Sequence, residues 1–237
     1  MKNLSIIIPC YNESDNIINL FDKLSELIKF YTELEIVIVE NGSKDNSITK
    51  IKNHPLYKNN LITLVEIDKN LGYGHGIMSG VYKSTAKYIA WCHADLQTSL
   101  KDVCDAFEKN LDKLEKTKSI VKGKRINRSI VDKFFTSGMS IIVSFLFKCK
   151  LTDINAQPKI FSRNFLSLLN DPPVDFSLDL YLMLKARFND YQIIEYPLTW
   201  NKRTAGEAKG GGSFVSKIKL ILKTFGYIYD LKRSKKF

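Results

Sequence analysis

Five consecutive residues, His93-Ala94-Asp95-Leu96-Gln97, follow directly on the apolar run Tyr88-Ile89-Ala90-Trp91-Cys92. A buried strand that ends in a carboxylate, with an amide oxygen two positions on, aims two oxygen ligands the same way, because strand side chains alternate with period 2. Such oxygens suit a hard divalent cation, and a cation held there would hold a phosphate with it. The pentapeptide reads as a cation and phosphate site at the carboxyl edge of a sheet. The plain alternative is a polar strand end that turns the chain into a loop.

Other strand ends carry polar groups too. Pro9-Cys10-Tyr11-Asn12-Glu13 closes the run Ile6-Ile7-Ile8. There Tyr11 can stack on a base and Glu13 can accept from a ring N–H or a ribose; a turn with a helix cap is the alternative. Glu40-Asn41 offer acceptor oxygens to the N–H edge of a pyrimidine or guanine, while Gly42 to Ser47 reads as an Asx turn entering a helix. Gly72-Tyr73-Gly74-His75-Gly76 precedes a helical stretch. Its backbone N–H groups and the positive end of the helix dipole suit a diphosphate, or else its glycines serve close packing. Asp175 and Asp179, around Phe176-Ser177-Leu178, are the carboxylates able to take a proton from a hydroxyl acceptor. Helix capping or dipole compensation is their alternative, and for Asp175 it is the preferred one.

These groups need a scaffold that brings strand ends together, and the first half of the chain has the pattern of one. Apolar β-branched runs at Leu4–Pro9, Glu35–Val39, Leu61–Ile67, Tyr88–Cys92 and Ser119–Lys122 alternate with amphipathic stretches. The first helix carries Ile17, Leu20, Phe21, Leu24, Leu27 and Ile28 at helical spacing after Ser14-Asp15, an N-cap candidate. Helices are also expected over Gly76–Ser84, Ser99–Leu114, Ser140–Phe147 and Leu178–Arg187, with short strands at Pro158–Phe161 and Gln192–Tyr196. The class is α/β, a mostly parallel sheet flanked by helices. Residues 1–213 read as one domain, ending in a glycine-rich loop, and residues 214–237 as a basic amphipathic helix.

At 237 residues and 44% hydrophobic, the chain is long enough for one large domain with a full core. A net charge of +11 favours anionic partners. No basic face is interleaved with stacking aromatics, so nucleic acid is not among them. Cys10, Cys92, Cys104 and Cys149 form no CxxC pair and no zinc-type spacing, which fits a reducing, cytoplasmic setting. No stretch reaches the roughly 18 uncharged apolar residues of a membrane span. The C-terminal helix mixes Ile218, Leu222, Phe225 and Ile228 with Lys217, Lys223, Lys232 and Arg233, as a helix lying on an anionic leaflet does. A helix packed on the domain with a solvated basic tail reads equally well.

The motifs PxYNE, ENGSxD, GYGxG and ADLQ, in this order over about the first hundred residues, resemble the family 2 glycosyltransferases of GT-A fold. Gly123-Lys124-Arg125, Lys133 before Ser137-Gly138, and Arg203-Thr204-Ala205-Gly206-Glu207-Ala208-Lys209 resemble the dolichyl-phosphate or polyprenyl-phosphate mannosyltransferase branch. The resemblance implies a nucleotide-sugar donor at the strand ends of a Rossmann-like sheet. Pro9, Tyr11, Glu13 and Glu40 or Asn41 would hold the nucleoside, with Ala94 behind the ribose. Asp95 and Gln97 would ligate Mg or Mn on the diphosphate, and Arg203 and Lys209 would close over it. Arg125 would face the transferred sugar's side of the diphosphate or, with Lys133, receive a lipid-phosphate acceptor; a sugar hydroxyl in a surface glycan would need Asp179 as base. Two positions depart from the family pattern: His93 stands where Asp is usual, and Asn41 where many relatives have a second Asp. The imidazole suits Mn better than Mg, or else marks a degenerate, accessory protein that binds a partner or a membrane.

Overall fold

The strands order themselves by burial on both faces, as parallel strands do. In the computed structural model, residues 3–127, 138, 140–201, 225–229 and 231–233 are described. β1 (Leu4–Cys10) lies between β2 (Leu34–Asn41) and β4 (Tyr88–Trp91), with β3 (Thr63–Ile67) beyond β2, all parallel. The sheet continues through β6 (Lys159–Ser162) to β5 (Ser119–Ile126) and β7 (Gln192–Thr199), in the order β3-β2-β1-β4-β6-β5-β7. β6 runs against both neighbours, while β5 and β7 pair in parallel. The consequence for function is direct. The carboxyl ends of β1, β2, β4, β5 and β7 share one edge, and the amino end of β6 joins them there.

Period-2 alternation divides the sheet residues between two cores. Leu4, Ile6, Ile8, Ile36 and Ile38 face α1 (Ser14–Phe30) and α5 (Leu100–Lys116). Ile7, Val37, Val39, Ile89 and Trp91 face α4 (Tyr73–Lys83), the helical stretch α6 (140–146) and α7 (Leu178–Phe188). The spacing of Ile17, Leu20, Phe21, Leu24 and Leu27 is that of the buried stripe of α1. The described helical turns 225–229 and 231–233 pack on the second core through Ile228 and Leu231.

Several local expectations change. The Ser14-Asp15 cap is wrong: both residues lie inside α1, whose N-cap position is Glu13. β5 runs four residues past its apolar part, because β7 pairs with it as far as Ile126↔Thr199 and lends backbone partners that a local pattern does not show. α2 (Ser47–Asn53) and α3 (Pro55–Lys58) have too few apolar residues to announce themselves; α3 starts at a proline with the His54 ring accepting from Leu56 N.

Candidate active site

At the ends of β1 and β2, side chains that look free to meet a ligand are committed to shaping two loops. Glu40 accepts from the backbone N–H of Gly42 (3.3 Å) and Ser43 (2.7 Å). Asn12, in the left-handed region at φ 52, donates its N–H to Ser43 Oγ and accepts from Lys44 N–H. Glu13 and Ser14 donate backbone N–H to Ser47 Oγ and Asp45 Oδ2, and the Glu13 carboxylate takes Asn16 Nδ2 at 2.6 Å. Asp45 also accepts from Ser47 N–H, the expected Asx turn. Pro9 and Tyr11 stand half-buried on the edge, where a flat ring can lie against them.

The glycine-rich turn is a packing device, contrary to its phosphate-cradle reading. His75 N–H at the start of α4 donates to Val174 O at 3.0 Å, so the 173–175 backbone occupies the place an anion would take. A Cβ on Gly74 would lie 2.1 Å from Pro173 O, and one on Gly72, at φ 133, 2.3 Å from Val174 O. Asn41 is buried and bonds the same turn through Nδ2 to Gly72 O (3.1 Å), while Gly76 leaves room for its amide. Gly74→Ala is therefore expected to lower stability by about 1–3 kcal/mol, as overpacking does, and to leave nucleotide affinity unchanged. Urea unfolding with a parallel nucleotide titration measures both, and the opposite pattern would return the turn to phosphate binding.

The Asp95 loop keeps its carboxylate at the edge but not by strand alternation. β4 stops at Trp91, and Leu96 adopts φ 56, so Asp95 and Gln97 do not share a strand face. Gln97 donates its N–H to Asp95 Oδ1 (3.1 Å) and its side-chain Nε2 to Asn201 O (3.3 Å), while Asn201 N–H returns to Gln97 O (3.0 Å). Gln97 is thus a tie between this loop and the exit of β7. Ala94 is buried behind Asp95. His93 lies 5.7 Å from the Tyr73 ring centroid, and burial foremost holds its pKa below the ordinary imidazole value, against the pull of Asp95 and Asp179. Among the described residues no group of three or more His, Cys, Asp and Glu could hold a metal by itself. The Asp95 carboxylate, the Gln97 amide oxygen and the His93 imidazole are groups that would suit Mg or Mn.

Asp179 sits 2% exposed beneath this loop, filled by donors. Trp91 Nε1 (3.2 Å), Gln157 Nε2 (3.0 Å) and Lys159 Nζ (3.4 Å) reach Oδ1, and Tyr73 OH reaches Oδ2 at 3.4 Å. Lys159 is fully buried, which lowers its pKa to about 8 although Asp179 pulls it upward. Asp175 Oδ1 accepts from Ser177 N–H, a local turn bond. Arg125, near the end of β5, pairs with Asp153 and lies under the Trp200 ring. Lys133, Arg203 and Lys209 lie outside the described residues. Sequence reasoning missed Trp91, Gln157, Lys159, Asp153 and Trp200; the one visible signal was a lysine inside the apolar strand Lys159-Ile160-Phe161.

A mostly parallel sheet with carboxylate, imidazole and guanidinium groups gathered on one edge defines a GT-A type α/β protein. Solved structures share the fold. Glucosyl-3-phosphoglycerate synthase from Mycobacterium tuberculosis, in complex with Mn2+, UDP and glucosyl-3-phosphoglycerate, superimposes with a TM-score of 0.69 at 14% identity, over 95% of this chain and 79% of that one. A mannosyltransferase from Pyrobaculum calidifontis with GDP-Man and Mn2+ gives 0.65 at 18% identity, over 96% and 64%. Residues 5–174 match the glycosyl transferase family 2 profile, and the chain belongs to that family of glycosyltransferases. A dolichyl-phosphate beta-glucosyltransferase of Trichomonas vaginalis is 26% identical over 92% of this chain and 69% of its own length. The human dolichyl-phosphate beta-glucosyltransferase is 27% identical over 85% and 68%.

Proposed function

We propose that the protein transfers a sugar from a UDP- or GDP-sugar to a polyprenyl phosphate, with inversion at the anomeric carbon. The observation that carries the acceptor is the state of Asp179. A sugar hydroxyl must lose its proton to a base as it attacks, and this carboxylate is buried and occupied by four donors. A phosphate monoester is already an anionic nucleophile and needs no base. Similarity to dolichyl-phosphate beta-glucosyltransferases supports the same acceptor class.

In this reading Pro9 and Tyr11 flank the base, and Glu13, Glu40 and Asn41 hold the loops that surround it. Ala94 backs the ribose. Asp95, Gln97 through its amide oxygen and His93 would hold Mg or Mn, which would supply electrostatic stabilisation to a diphosphate leaving group. Gln97 fixes the loop that carries Asp95, and Arg203 and Lys209 meet the diphosphate. Arg125 and Lys133 receive the acceptor phosphate. Among the described residues no helix is long and apolar enough to cross a membrane. The exposed Ile141, Ile142, Phe145 and Tyr229, with Lys232 and Arg233 in the last described turn, support contact with the cytoplasmic face of an anionic membrane.

Calorimetric titration with UDP and GDP in the presence of Mn, followed by transfer assays on a short-chain polyprenyl phosphate, tests the proposal. Nucleotide binding and product formation are expected. Absence of binding by any nucleotide ends it, and tight binding without turnover of any donor indicates an accessory protein instead.

A further inference from the structure

We propose that Asp153 and Trp200 are positioning residues that hold Arg125 as a fixed anion receptor, with one guanidinium edge left for the phosphate of the acceptor. Asp153 grips Arg125 at two levels. The backbone N–H of Arg125 donates to Asp153 Oδ2 at 2.9 Å, which sets the end of β5. The side-chain Nε donates to Oδ1 (3.0 Å) and Oδ2 (3.2 Å), and Nη2 donates to Oδ1. Both partners are largely covered, at 10% and 13% side-chain exposure, so the pair is shielded from water. The Cζ of Arg125 lies over the Trp200 ring, 5.0 Å from its centroid.

A guanidinium carries five N–H donors in a rigid plane. The side-on grip of Nε and Nη2 by a carboxylate takes one edge, and the indole lies beside Cζ. The end-on edge of Nη1 and Nη2 remains, and Nη1 has no hydrogen-bond partner among the described residues. This edge lies near the Asp95 loop by way of the chain leaving β7: Arg125 lies over the ring of Trp200, whose neighbour Asn201 is bonded to Gln97. An arginine fixed in this way loses little freedom when it binds a phosphate oxygen pair, so more of each hydrogen bond appears as affinity.

Both holders are themselves anchored. The Asp153 carbonyl accepts from Lys122 Nζ (3.4 Å), a buried lysine paired with Glu195 at 3.1 Å. Trp200 precedes Asn201, which is tied in both directions to Gln97. The segment leaving β7 therefore touches both halves of the site, Asp95 through Gln97 and Arg125 through the indole. A salt bridge serving stability alone would explain Asp153 but gives no reason for a tryptophan ring beneath its partner's charge on the segment tied to Gln97.

The inference rests on the phosphate-acceptor reading, and one calorimetric series separates the two. Citronellyl phosphate and UDP or GDP with Mn are titrated separately into the wild type, Trp200→Leu, Trp200→Phe and Asp153→Asn, with Tm recorded for each. Trp200→Leu and Asp153→Asn are expected to weaken citronellyl phosphate about tenfold, the size of a shielded cation–π contact, with Trp200→Phe close to wild type and nucleotide affinity unchanged. If the wild type binds nucleotide but no citronellyl phosphate, the acceptor reading falls and takes this inference with it. If the wild type binds it and Trp200→Leu binds it equally well, the acceptor stands and the positioning role is overturned. Parallel losses of nucleotide affinity, phosphate affinity and Tm in Trp200→Leu would likewise overturn it, because a merely structural residue behaves that way.

Discussion

Asp95→Asn is expected to lower transfer by on the order of a thousandfold and to abolish the dependence of nucleotide binding on a divalent ion. The carboxylate is 4% exposed and accepts Gln97 N–H at Oδ1. An amide of the same shape keeps that acceptor, so the loop retains its course and the loss reports charge. The effect is large because Asp95 is the one assigned ligand that brings a negative charge to the ion; an amide oxygen and an imidazole bring none. Titrating UDP and GDP with and without Mn measures it. An Asp95→Asn protein that still binds nucleotide more tightly with Mn would remove Asp95 from the ion.

The second large effect is on stability. Asp179→Ala should cost about 3–5 kcal/mol, because it strands the buried Lys159 ammonium and unpairs Trp91, Gln157 and Tyr73. The pH dependence follows from the lysine. Its folded pKa of about 8 lies below the ordinary 10.5 that the unfolded chain keeps. Between these values the unfolded state binds more protons, so wild-type stability rises with pH across that window; below it both states are charged and this group contributes no slope. Loss of the carboxylate lowers the folded pKa further, so the rise in Asp179→Ala begins at lower pH. Urea midpoints at pH 7 and pH 9 read this, and the Asp179→Leu, Lys159→Met double variant should recover much of the loss. An Asp179→Asn protein of wild-type stability that has lost all transfer would instead make Asp179 the base for a hydroxyl acceptor.

Much of the fold was legible because its signals are local. The runs Ile6-Ile7-Ile8 and Ile36-Val37-Ile38-Val39 show no alternation, since each is covered by helices on both faces, and they became neighbouring parallel strands. Family membership was legible from the order of the strand-end motifs. Side-chain duties were less so. Glu40 and Asn41 look like ligand-reading groups in one dimension, yet the first closes its own turn and the second holds the glycine-rich turn 31 residues away. Nothing local distinguishes a carboxylate that meets a base from one that meets a backbone N–H.

For His93-Ala94-Asp95-Leu96-Gln97 the division is clear. The sequence alone determined that a carboxylate follows a buried strand at the carboxyl edge of an α/β sheet, with a histidine two residues before it. These facts depend on residue identity and on hydrophobic pattern, which are local. Only the tertiary structure decided that Gln97 ties Asn201, that burial disfavours the charged form of the histidine, and that Asp179 is enclosed by Trp91, Gln157 and Lys159. The contacts of Gln97 and Asp179 join residues from 20 to 104 positions apart. Burial, pKa and hydrogen-bond commitment depend on what the folded chain brings alongside, and no periodicity along the sequence encodes that.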